Sequence, residues 1–344
     1  MFGGSPMSLT LAKRLLTEPD KRLLWKFAYN FGYKGMRAVG RFKKRMRRGE
    51  YFPAFLFISV TNACNLSCQG CWVSQSNPPK QLAPQTLDNL IRECKAQGSY
   101  FFGILGGEPL LYDGLFEVFE KHPDCYFLLF TNGTLITKDI AAELKKIGLS
   151  YVGVSLDGLQ PTHDRFRGRK GAFEKAIEGI RNCREAGIKV GLRFTVNRHN
   201  VADVPAMFDL MRKEKIERMC FYHMVYSGRG SKLREEDLAH EESRRLLDLI
   251  ADKTKAMFDD GLAPEILTVD NHADGPYLYL KMKEKDPARA AEILELLEMN
   301  EGNSTGVGVG SDDAVSAACA ERWSEQPGIP PLGVRLAFAP PEAL

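Results

Sequence analysis

The sequence predicts an α/β protein built around a partial parallel (β/α)6 barrel. Between about residues 55 and 225, short runs rich in β-branched and aromatic residues alternate with amphipathic stretches of helical period. The runs are apolar on both faces, as strands of a covered parallel sheet are. No Gly-x-Gly-x-x-Gly motif follows the first run, which argues against the alternative of an open doubly wound sheet. A barrel places its chemistry at the carboxyl ends of its strands.

Strands and helices alternate along this region. The predicted strands are Phe55–Val60, Tyr100–Leu105, Tyr126–Phe130, Tyr151–Leu156, Lys189–Val196 and Arg218–Val225. The helices predicted between them include Gln85–Ala96, Lys138–Ile147, Ala172–Ala186 and Val204–Lys215. Gly148 and Gly187 follow two of these helices at the position of a C-terminal cap.

Charge and composition divide the rest of the chain. Of its 344 residues, 47 are Lys or Arg and 44 are Asp or Glu, which gives a net charge of +3. Residues 1–50 carry +10 and the remainder carries −7. We predict a basic amphipathic helical arm (1–50), a barrel core (51–235), a helical C-terminal extension (236–310) and a poorly ordered tail rich in Ala and Pro (311–344).

The basic arm has two predicted helices, Leu23–Phe31 and Lys34–Arg48, and the extension has two more, Glu241–Asp260 and Pro287–Met299. The arm either lies on an anionic membrane surface, docks an acidic electron donor, or packs its apolar stripe on the barrel. The chain has no run of 18 apolar residues and no signal-peptide pattern, so we expect a cytoplasmic location, with peripheral membrane contact left open. The near balance of charges gives no reason to expect a nucleic acid partner.

Three of the eight cysteines stand close together directly after the first predicted strand. Cys64, Cys68 and Cys71 form a C-x3-C-x2-C pattern, and three thiolates on one loop can hold three irons of a cubane cluster. The fourth iron then has no protein ligand and is open to a small molecule. The alternatives are a zinc site, which needs a fourth Cys or His nearby, and three core cysteines without a ligand role.

Together with Gly106-Gly107-Glu108-Pro109 at the end of the second predicted strand, these cysteines resemble the radical S-adenosylmethionine (SAM) superfamily over about residues 52–225. The resemblance implies one 4Fe-4S cluster on the three cysteines, with SAM chelating the unique iron. It also implies that a one-electron donor such as flavodoxin or ferredoxin reduces the cluster. The electron then cleaves the S–C5′ bond of SAM, and the resulting radical abstracts hydrogen from the substrate.

The same resemblance implies SAM contacts at several strand ends. Glu108 offers an acceptor for an ammonium group, and Arg193, an internal cation, requires an anion such as the SAM carboxylate. Asp157 is a candidate for the ribose hydroxyls, with a turn or cap role as the alternative. The full predicted set is Gly106, Gly107, Glu108, Pro109, Thr131, Asn132, Ser155, Asp157 and Arg193. Gly70 departs from the family, which usually has an apolar residue before the third cysteine, and Trp72 is a candidate replacement.

Later stretches concern the substrate. Residues 163–168 resemble the branch that modifies tetrapyrroles and peptides. Residues 222–230, 270–275 and 302–307 resemble the enzymes of heme d1 biosynthesis and of the siroheme-dependent heme pathway, which modify carboxylate side chains of an iron tetrapyrrole. For such a substrate we predict that cations bind the carboxylates and that a histidine ligates the iron. The candidates are Arg165, Arg167, Arg229, His223 and His272.

Two further functions stay open from the sequence: radical modification of a peptide, and a carrier of a cluster or tetrapyrrole without catalysis. The resembled enzymes have additional cysteines near the C-terminus for an auxiliary cluster. In this chain only Cys319 follows Cys220, and one thiolate cannot hold such a cluster, so we predict none.

Overall fold

The structure, a computed structural model, describes residues 44, 45, 47–49, 52, 55–271 and 273–291. In this part of the chain, seven parallel strands form one sheet in which the spatial order follows the sequence. The sheet curls into an open half-barrel whose first and last strands do not pair with each other among these residues. The strands are β1 (Phe55–Ser59), β2 (Phe101–Leu105), β3 (Tyr126–Thr131), β4 (Tyr151–Ser155), β5 (Lys189–Thr195), β6 (Arg218–Tyr222) and β7 (Glu265–Val269).

Helices connect consecutive strands, as parallel neighbours require. Two helix ends show the local chemistry that sets their bounds: the side chain of Thr137 accepts a hydrogen bond from the Ile140 N–H, and Gly98 ends a helix in the left-handed conformation. The helices are α1 (Pro84–Gln97), α2 (Leu115–Lys121), α3 (Lys138–Lys146), α4 (Gln160–Arg167), α5 (Ala172–Glu185), α6 (Val204–Glu214), α7 (His240–Asp259) and α8 (Asp274–Lys285). No helix among the described residues is both long and apolar enough to cross a bilayer.

The two faces of the sheet have different surroundings. Alternate residues such as Leu56 and Ile58 of β1 are buried in the core between the sheet and the helices. The opposite, concave face carries side chains that are partly buried, except Tyr151, which is buried. It is lined by Phe57, Phe130, Tyr151, Arg193, Cys220 and Tyr222. Gly103 leaves room there for the rings of Phe57 and Phe130. The concave face is therefore an open, aromatic-lined surface below the carboxyl ends of the strands.

The predicted barrel and its six strands are confirmed. The bounds differ by one residue in β1 to β5, and β6 ends three residues earlier than predicted. Strand β7 was not predicted, because its segment was assigned to the helical extension (236–310). The run Ile266-Leu267-Thr268-Val269 does have strand character, and all five residues of β7 are half-buried at the edge of the sheet. Helices α2, α4 and α8 were also not predicted. The predicted arm helix Leu23–Phe31, all of Lys34–Arg48 except residues 44, 45, 47 and 48, most of Pro287–Met299 and the tail lie outside the described residues.

Helix α5 touches the loop after β3 at Gly179. A Cβ on Gly179 would overlap the carbonyl oxygen of Gly133 and lie 3.2 Å from the Cβ of Ile136. Asn182, one turn further along the helix, donates a hydrogen bond to the Ile136 carbonyl at 2.8 Å. The missing side chain at Gly179 therefore lets α5 fix the loop that follows Thr131.

We predict that Gly179→Ala destabilises the fold, although alanine is the better helix former by about 1 kcal/mol. Overpacking against backbone is expected to lower the free energy of unfolding by about 1–3 kcal/mol. Chemical denaturation measures this change. Glu178→Ala, an exposed substitution at the adjacent position of α5, is the matched control and should stay within about 0.5 kcal/mol of the wild type. A stabilised Gly179→Ala variant would contradict the close approach.

Candidate functional site

We call residues 60–72, the segment that follows β1, the cysteine loop. It carries Cys68, which is buried, and Cys64 and Cys71, which are partly exposed. In the part of the chain that the structure describes, no three Cys, His, Asp or Glu side chains are arranged to ligate a single metal ion. The loop lies at the carboxyl ends of the strands, as predicted for a barrel site.

The pKa values of the three cysteines depend on one another, because a thiolate raises the pKa of a neighbouring thiol. Burial raises the pKa of the Cys64 thiol to about 11, and the nearby Glu108, Cys68 and Cys71 add to the rise. Burial also raises the pKa of Cys71, and the charge of Cys68 adds to this. A ligand that binds these sulfurs as thiolates must therefore displace protons or supply a compensating positive charge.

The C-terminal end of α4 supports the cysteine loop. The Gln69 N–H donates to the Phe166 carbonyl at 2.9 Å, and Arg169 donates to the Asn65 carbonyl at 3.3 Å. A Cβ on Gly168, the residue after the helix, would lie only 2.9 Å from the Ser67 carbonyl. Backbone and side chains of the α4 end thus hold several positions of the loop.

Gly70 is explained by the same contact. A Cβ at this position would lie 3.0 Å from the Phe166 ring and 3.1 Å from a methyl group of Leu233. Phe166 is itself buried. The ring of Phe166 therefore occupies the place of the apolar side chain that the family usually has before the third cysteine. Trp72 alone does not replace that side chain.

Arg167 joins the cysteine loop to β4. Its Nη1 lies 3.6 Å from the Cys68 sulfur, and its Nη2 forms an ion pair with the Asp157 carboxylate. The side chain of Arg167 is 13% exposed and that of Asp157 is 1% exposed. Asp157 also accepts a hydrogen bond from the Thr195 N–H at 2.8 Å. This buried pair places a cation directly beside one cysteine sulfur.

Arg229 holds the loop from the opposite side. Its Nε donates to the Cys68 carbonyl at 2.7 Å, and its backbone N–H donates to the Cys71 carbonyl at 2.8 Å. The preceding Gly228 has φ +55 and sits so close to the Cys71 and Trp72 carbonyls that a Cβ would overlap them. The predicted substrate contact Arg229 therefore has a clear role in holding the cysteine loop.

The two glycines after β2, Gly106 and Gly107, let the end of β2 lie directly against the backbone of the cysteine loop. The Gly107 N–H donates to the Thr61 carbonyl at 2.7 Å, and the Glu108 N–H donates to the Ala63 carbonyl at the same distance. A Cβ on Gly106 or Gly107 would overlap these carbonyl oxygens. Gly106 and Gly107 were predicted as SAM contacts. In the structure their backbone approaches the backbone of the cysteine loop.

Glu108 is a fully buried carboxylate that is tied to the end of β3. It accepts hydrogen bonds from the Thr131 hydroxyl at 2.6 Å and from the Asn132 N–H at 2.8 Å. The Asn132 side chain donates to Asn65 in the cysteine loop at 2.8 Å. Burial raises the pKa of the Glu108 carboxyl, while these hydrogen bonds oppose the rise. Pro109, which follows, is buried at the start of a short turn.

Arg193 lies between two aromatic rings on the concave face. Its guanidinium carbon is 3.9 Å from the centroid of the Phe130 ring and 4.4 Å from that of Tyr222. The Nη1 atom is buried and has no hydrogen-bond partner. Ser155 is its register neighbour on β4. A buried donor without a partner indicates a place for an anionic or polar group that the protein itself does not supply.

Comparison with known proteins agrees with this arrangement. The model of the Radical SAM superfamily matches residues 58–211. The chain is 49% identical over 266 residues to Fe-coproporphyrin III synthase of Methanosarcina barkeri, covering 75% of this chain and 67% of that protein. The chain belongs to the radical SAM superfamily. It is also 36% identical over 291 residues to pre-heme d1 synthase of Dinoroseobacter shibae, covering 82% of this chain and 71% of that protein.

A solved structure with bound S-adenosylmethionine has a similar fold. SuiB of Streptococcus suis bound to S-adenosylmethionine superposes with a TM-score of 0.59 at 19% identity, covering 79% of this chain and 62% of SuiB. Family membership confirms the resemblance found in the sequence and makes the chain an enzyme that uses SAM and an iron–sulfur cluster. The roles of individual residues are proposals that the geometry supports.

Two groups of predicted radical SAM residues meet in the structure. The first joins Glu108 to Thr131 and Asn132, and the second joins Asp157 and Arg167 to Cys68. Arg193 and Ser155 form a separate pair on the concave face. The structure does not bring all of the predicted substrate residues to one place, because Arg165 is exposed on α4 and Arg167 is engaged beneath the loop.

The predicted substrate histidines differ in what the structure shows. His223 follows β6, and its Nε2 lies 2.9 Å from the Asp274 carboxylate at the start of α8. His223 is two residues after Phe221, which is buried in the core, so by the alternation of a strand it lies on the helix-covered side of the sheet. Tyr222 lies on the opposite side. His272 lies outside the described residues.

Sequence reasoning missed the structural role of residues 163–169. Asp164 accepts hydrogen bonds from the backbone N–H groups of Gly171 and Phe173 at 2.7 and 2.8 Å and thereby starts α5. His163 accepts a hydrogen bond from the Asp157 N–H at 3.1 Å. The dense run of polar and aromatic residues was the signal, but the partners of these residues are distant in sequence.

We predict a pH dependence of stability from His163. Burial, with a contribution from the Arg167 charge, lowers the pKa of His163 to about 2. An unfolded histidine has a pKa of about 6.5, so below that pH the unfolded chain binds one more proton and the native state loses stability as pH falls. The loss approaches about 1.4 kcal/mol per pH unit.

In His163→Gln this contribution is absent, so unfolding free energies measured by denaturant titration should fall less steeply between about pH 6.5 and pH 4.5 than in the wild type. His240→Gln, which changes an exposed histidine at the start of α7, is the control and should keep the wild-type slope. Equal slopes for His163→Gln and the wild type would show that His163 is protonated in the native state.

Proposed function

We propose that the cysteine loop binds one 4Fe-4S cluster and that the enzyme uses it with SAM to modify side chains of an iron tetrapyrrole. The main support for the cluster site is the cysteine loop, which lies at the carboxyl ends of the strands and has three thiols close enough to affect one another's pKa. A zinc site needs a fourth Cys or His ligand, whereas the C-x3-C-x2-C pattern supplies three thiols, which suits three irons of a cubane.

The surroundings of the loop suit a cluster with a net negative charge. Arg167 faces the Cys68 sulfur, and the charges of Arg229 and Arg167 lower the pKa of Cys71 against the effect of burial. Both cations favour thiolates over thiols. We propose Cys64, Cys68 and Cys71 as the ligands and no auxiliary cluster in this chain.

SAM is proposed to lie between the loop and the concave face. Glu108 would accept a hydrogen bond from the SAM ammonium, and the Nη1 of Arg193, which has no protein partner, would donate to its carboxylate. Gly106, Gly107, Pro109, Thr131 and Asn132 position Glu108, and Ser155 and Asp157 lie at the adjoining strand end. When bound, the reduced cluster and SAM supply a carbon-centred radical that abstracts hydrogen. The protein orients the groups and excludes water.

An iron tetrapyrrole is the proposed substrate class because the two relatives named above are a synthase of an iron porphyrin and a synthase of pre-heme d1. The aromatic rings of the concave face offer flat apolar surface to a macrocycle. Arg165, Arg167, Arg229, His223 and His272 stay candidates for its carboxylates and iron. Of these, Arg165 is the exposed cation and the most available to a carboxylate.

The electron donor is proposed to be a flavodoxin or ferredoxin. Such a donor is acidic, and residues 1–50 with their charge of +10 suit either this partner or an anionic membrane surface. The SAM-dependent chemistry needs only one electron at a time, which both donors deliver.

The test of this function is anaerobic reconstitution with iron and sulfide. We expect about four irons per chain, formation of 5′-deoxyadenosine on reduction with SAM, and a shift of the tetrapyrrole absorption bands on addition of an iron tetrapyrrole. Mass spectrometry then detects the altered side chains. Bound cluster without 5′-deoxyadenosine would contradict the radical chemistry. SAM cleavage without tetrapyrrole binding, but with a modified peptide, would favour the peptide alternative.

We predict that Cys68→Ala removes both the cluster and SAM cleavage, because the cubane loses one of its three protein ligands. Iron analysis and the yield of 5′-deoxyadenosine measure the two losses. Cys94→Ala, which removes a buried thiol from α1, is the matched control and should keep both. Wild-type iron content in Cys68→Ala would remove Cys68 from the ligand set.

We predict that Glu108→Gln weakens SAM binding about tenfold or more while the iron content stays unchanged, because a charge-assisted hydrogen bond to the ammonium is lost. Equilibrium binding of SAM to the reconstituted enzyme measures the change. Glu117→Gln, an exposed carboxylate on α2, is the control and should bind SAM as the wild type does. Unchanged SAM affinity in Glu108→Gln would exclude the proposed ammonium contact.

A further inference from the structure

Arg167 places its guanidinium beside the sulfur of Cys68. Its Nη1 lies 3.6 Å from the Cys68 sulfur, within the range of a hydrogen bond to sulfur, and Cys68 is the buried member of the three cysteines. Arg167 and Cys68 are 99 residues apart in sequence. The contact is therefore made by the fold and not by a local turn.

The guanidinium is held in place without help from a ligand. Asp157 forms an ion pair with Nη2, and the carboxylate of Asp157 is fixed in turn by the Thr195 N–H. The backbone N–H of Asp157 donates to His163, one turn before Arg167 on α4. The Nε of Arg167 is buried and has no hydrogen-bond partner. Asp157 neutralises the Arg167 charge at Nη2 only. Negative charge on the Cys68 sulfur, next to Nη1, would therefore stabilise the guanidinium further.

We propose that Arg167 acts through Cys68 to raise the reduction potential of the cluster. The proposal rests on the proposed function, because it requires Cys68 to be a cluster ligand. One-electron reduction adds one negative charge to the cluster and its thiolates. A hydrogen bond from a guanidinium to a ligand sulfur stabilises the reduced form more than the oxidised form, and the partly buried site strengthens this effect.

Neighbouring cations do not share this role. The Nε of Arg229 donates to the carbonyl oxygen of Cys68 and not to its sulfur, and Arg169 reaches only the Asn65 carbonyl from an exposed position. Arg165 is exposed on α4. The predicted substrate role of Arg167 is less well supported than this one, because its Nη1 and Nη2 face the sulfur and Asp157.

The experiment compares the full-length wild type with Arg167→Gln, Arg167→Lys and Lys170→Gln after anaerobic reconstitution. The clusters are titrated at poised potentials without SAM, and the reduced cluster is quantified by its paramagnetic resonance signal, normalised to bound iron. In Arg167→Gln we expect the ratio of reduced to oxidised cluster at a given potential to fall about tenfold, which is about 59 mV for a one-electron couple.

Arg167→Lys keeps the charge but lacks the planar fork that contacts Asp157 and Cys68 together, so we expect a smaller shift in the same direction. Lys170→Gln removes an exposed cation three residues after Arg167, and solvent screening should leave the potential unchanged.

The proposal is wrong if the iron-normalised potential of Arg167→Gln equals that of the wild type, even when less iron is bound, because Arg167 then only holds the loop. It is also wrong if neither Arg167 variant retains any cluster while Lys170→Gln does, or if Lys170→Gln shifts the potential as much as Arg167→Gln. A wild type that binds no cluster would instead refute the proposed function. A wild type with a cluster and SAM cleavage, but no shift in either Arg167 variant, refutes this inference alone.

Discussion

The buried ion pair between Asp157 and Arg167 is the interaction on which the arrangement of the site depends. It connects the end of β4, the C-terminal end of α4 and the cysteine loop after β1. A buried ion pair is costly to desolvate and adds little to stability unless its remaining groups are also satisfied. In this enzyme Asp157 is satisfied by the Thr195 N–H, while Arg167 directs a donor to sulfur. The pair therefore positions the loop more than it stabilises the fold.

Close backbone contact completes what the ion pair begins. Gly107 brings the end of β2 against Ala63, and Gly228 brings the segment after β6 against Cys71 and Trp72. Gly70 gives its space to Phe166. At Gly107 and Gly228 the opposing atoms are backbone atoms that cannot change rotamer, so a side chain at either glycine would move the cysteine loop as a whole. The loop is thus fixed from three strand ends, although it has no regular secondary structure of its own.

The barrel and the cysteine loop were predictable from the sequence because their signals are local. Buried strands such as Tyr151–Ser155 are nearly continuous apolar runs, and the cysteine spacing lies within eight residues. The positions of Arg167 and Arg229 were not predictable, because their partners in the loop are 99 and 161 residues away. An arginine-rich segment was interpreted as a substrate surface, whereas burial and partners decide whether a cation faces solvent or protein. Strand β7 was missed because its short run of Ile, Leu, Thr and Val lies in a segment that was predicted to be a helical extension.

The way in which Arg193 is held has a consequence for exchange at the site. Most buried arginines are neutralised by a carboxylate, and an incoming anion must then displace an internal competitor. Between the rings of Phe130 and Tyr222, the Arg193 cation is held by aromatic faces, which stabilise its charge but do not accept its N–H groups in the plane of the guanidinium. The Nη1 donor has no protein acceptor to return to. An anion that binds Arg193 would therefore displace only water. Its residence time would depend on its own contacts and not on the breaking of an ion pair within the protein.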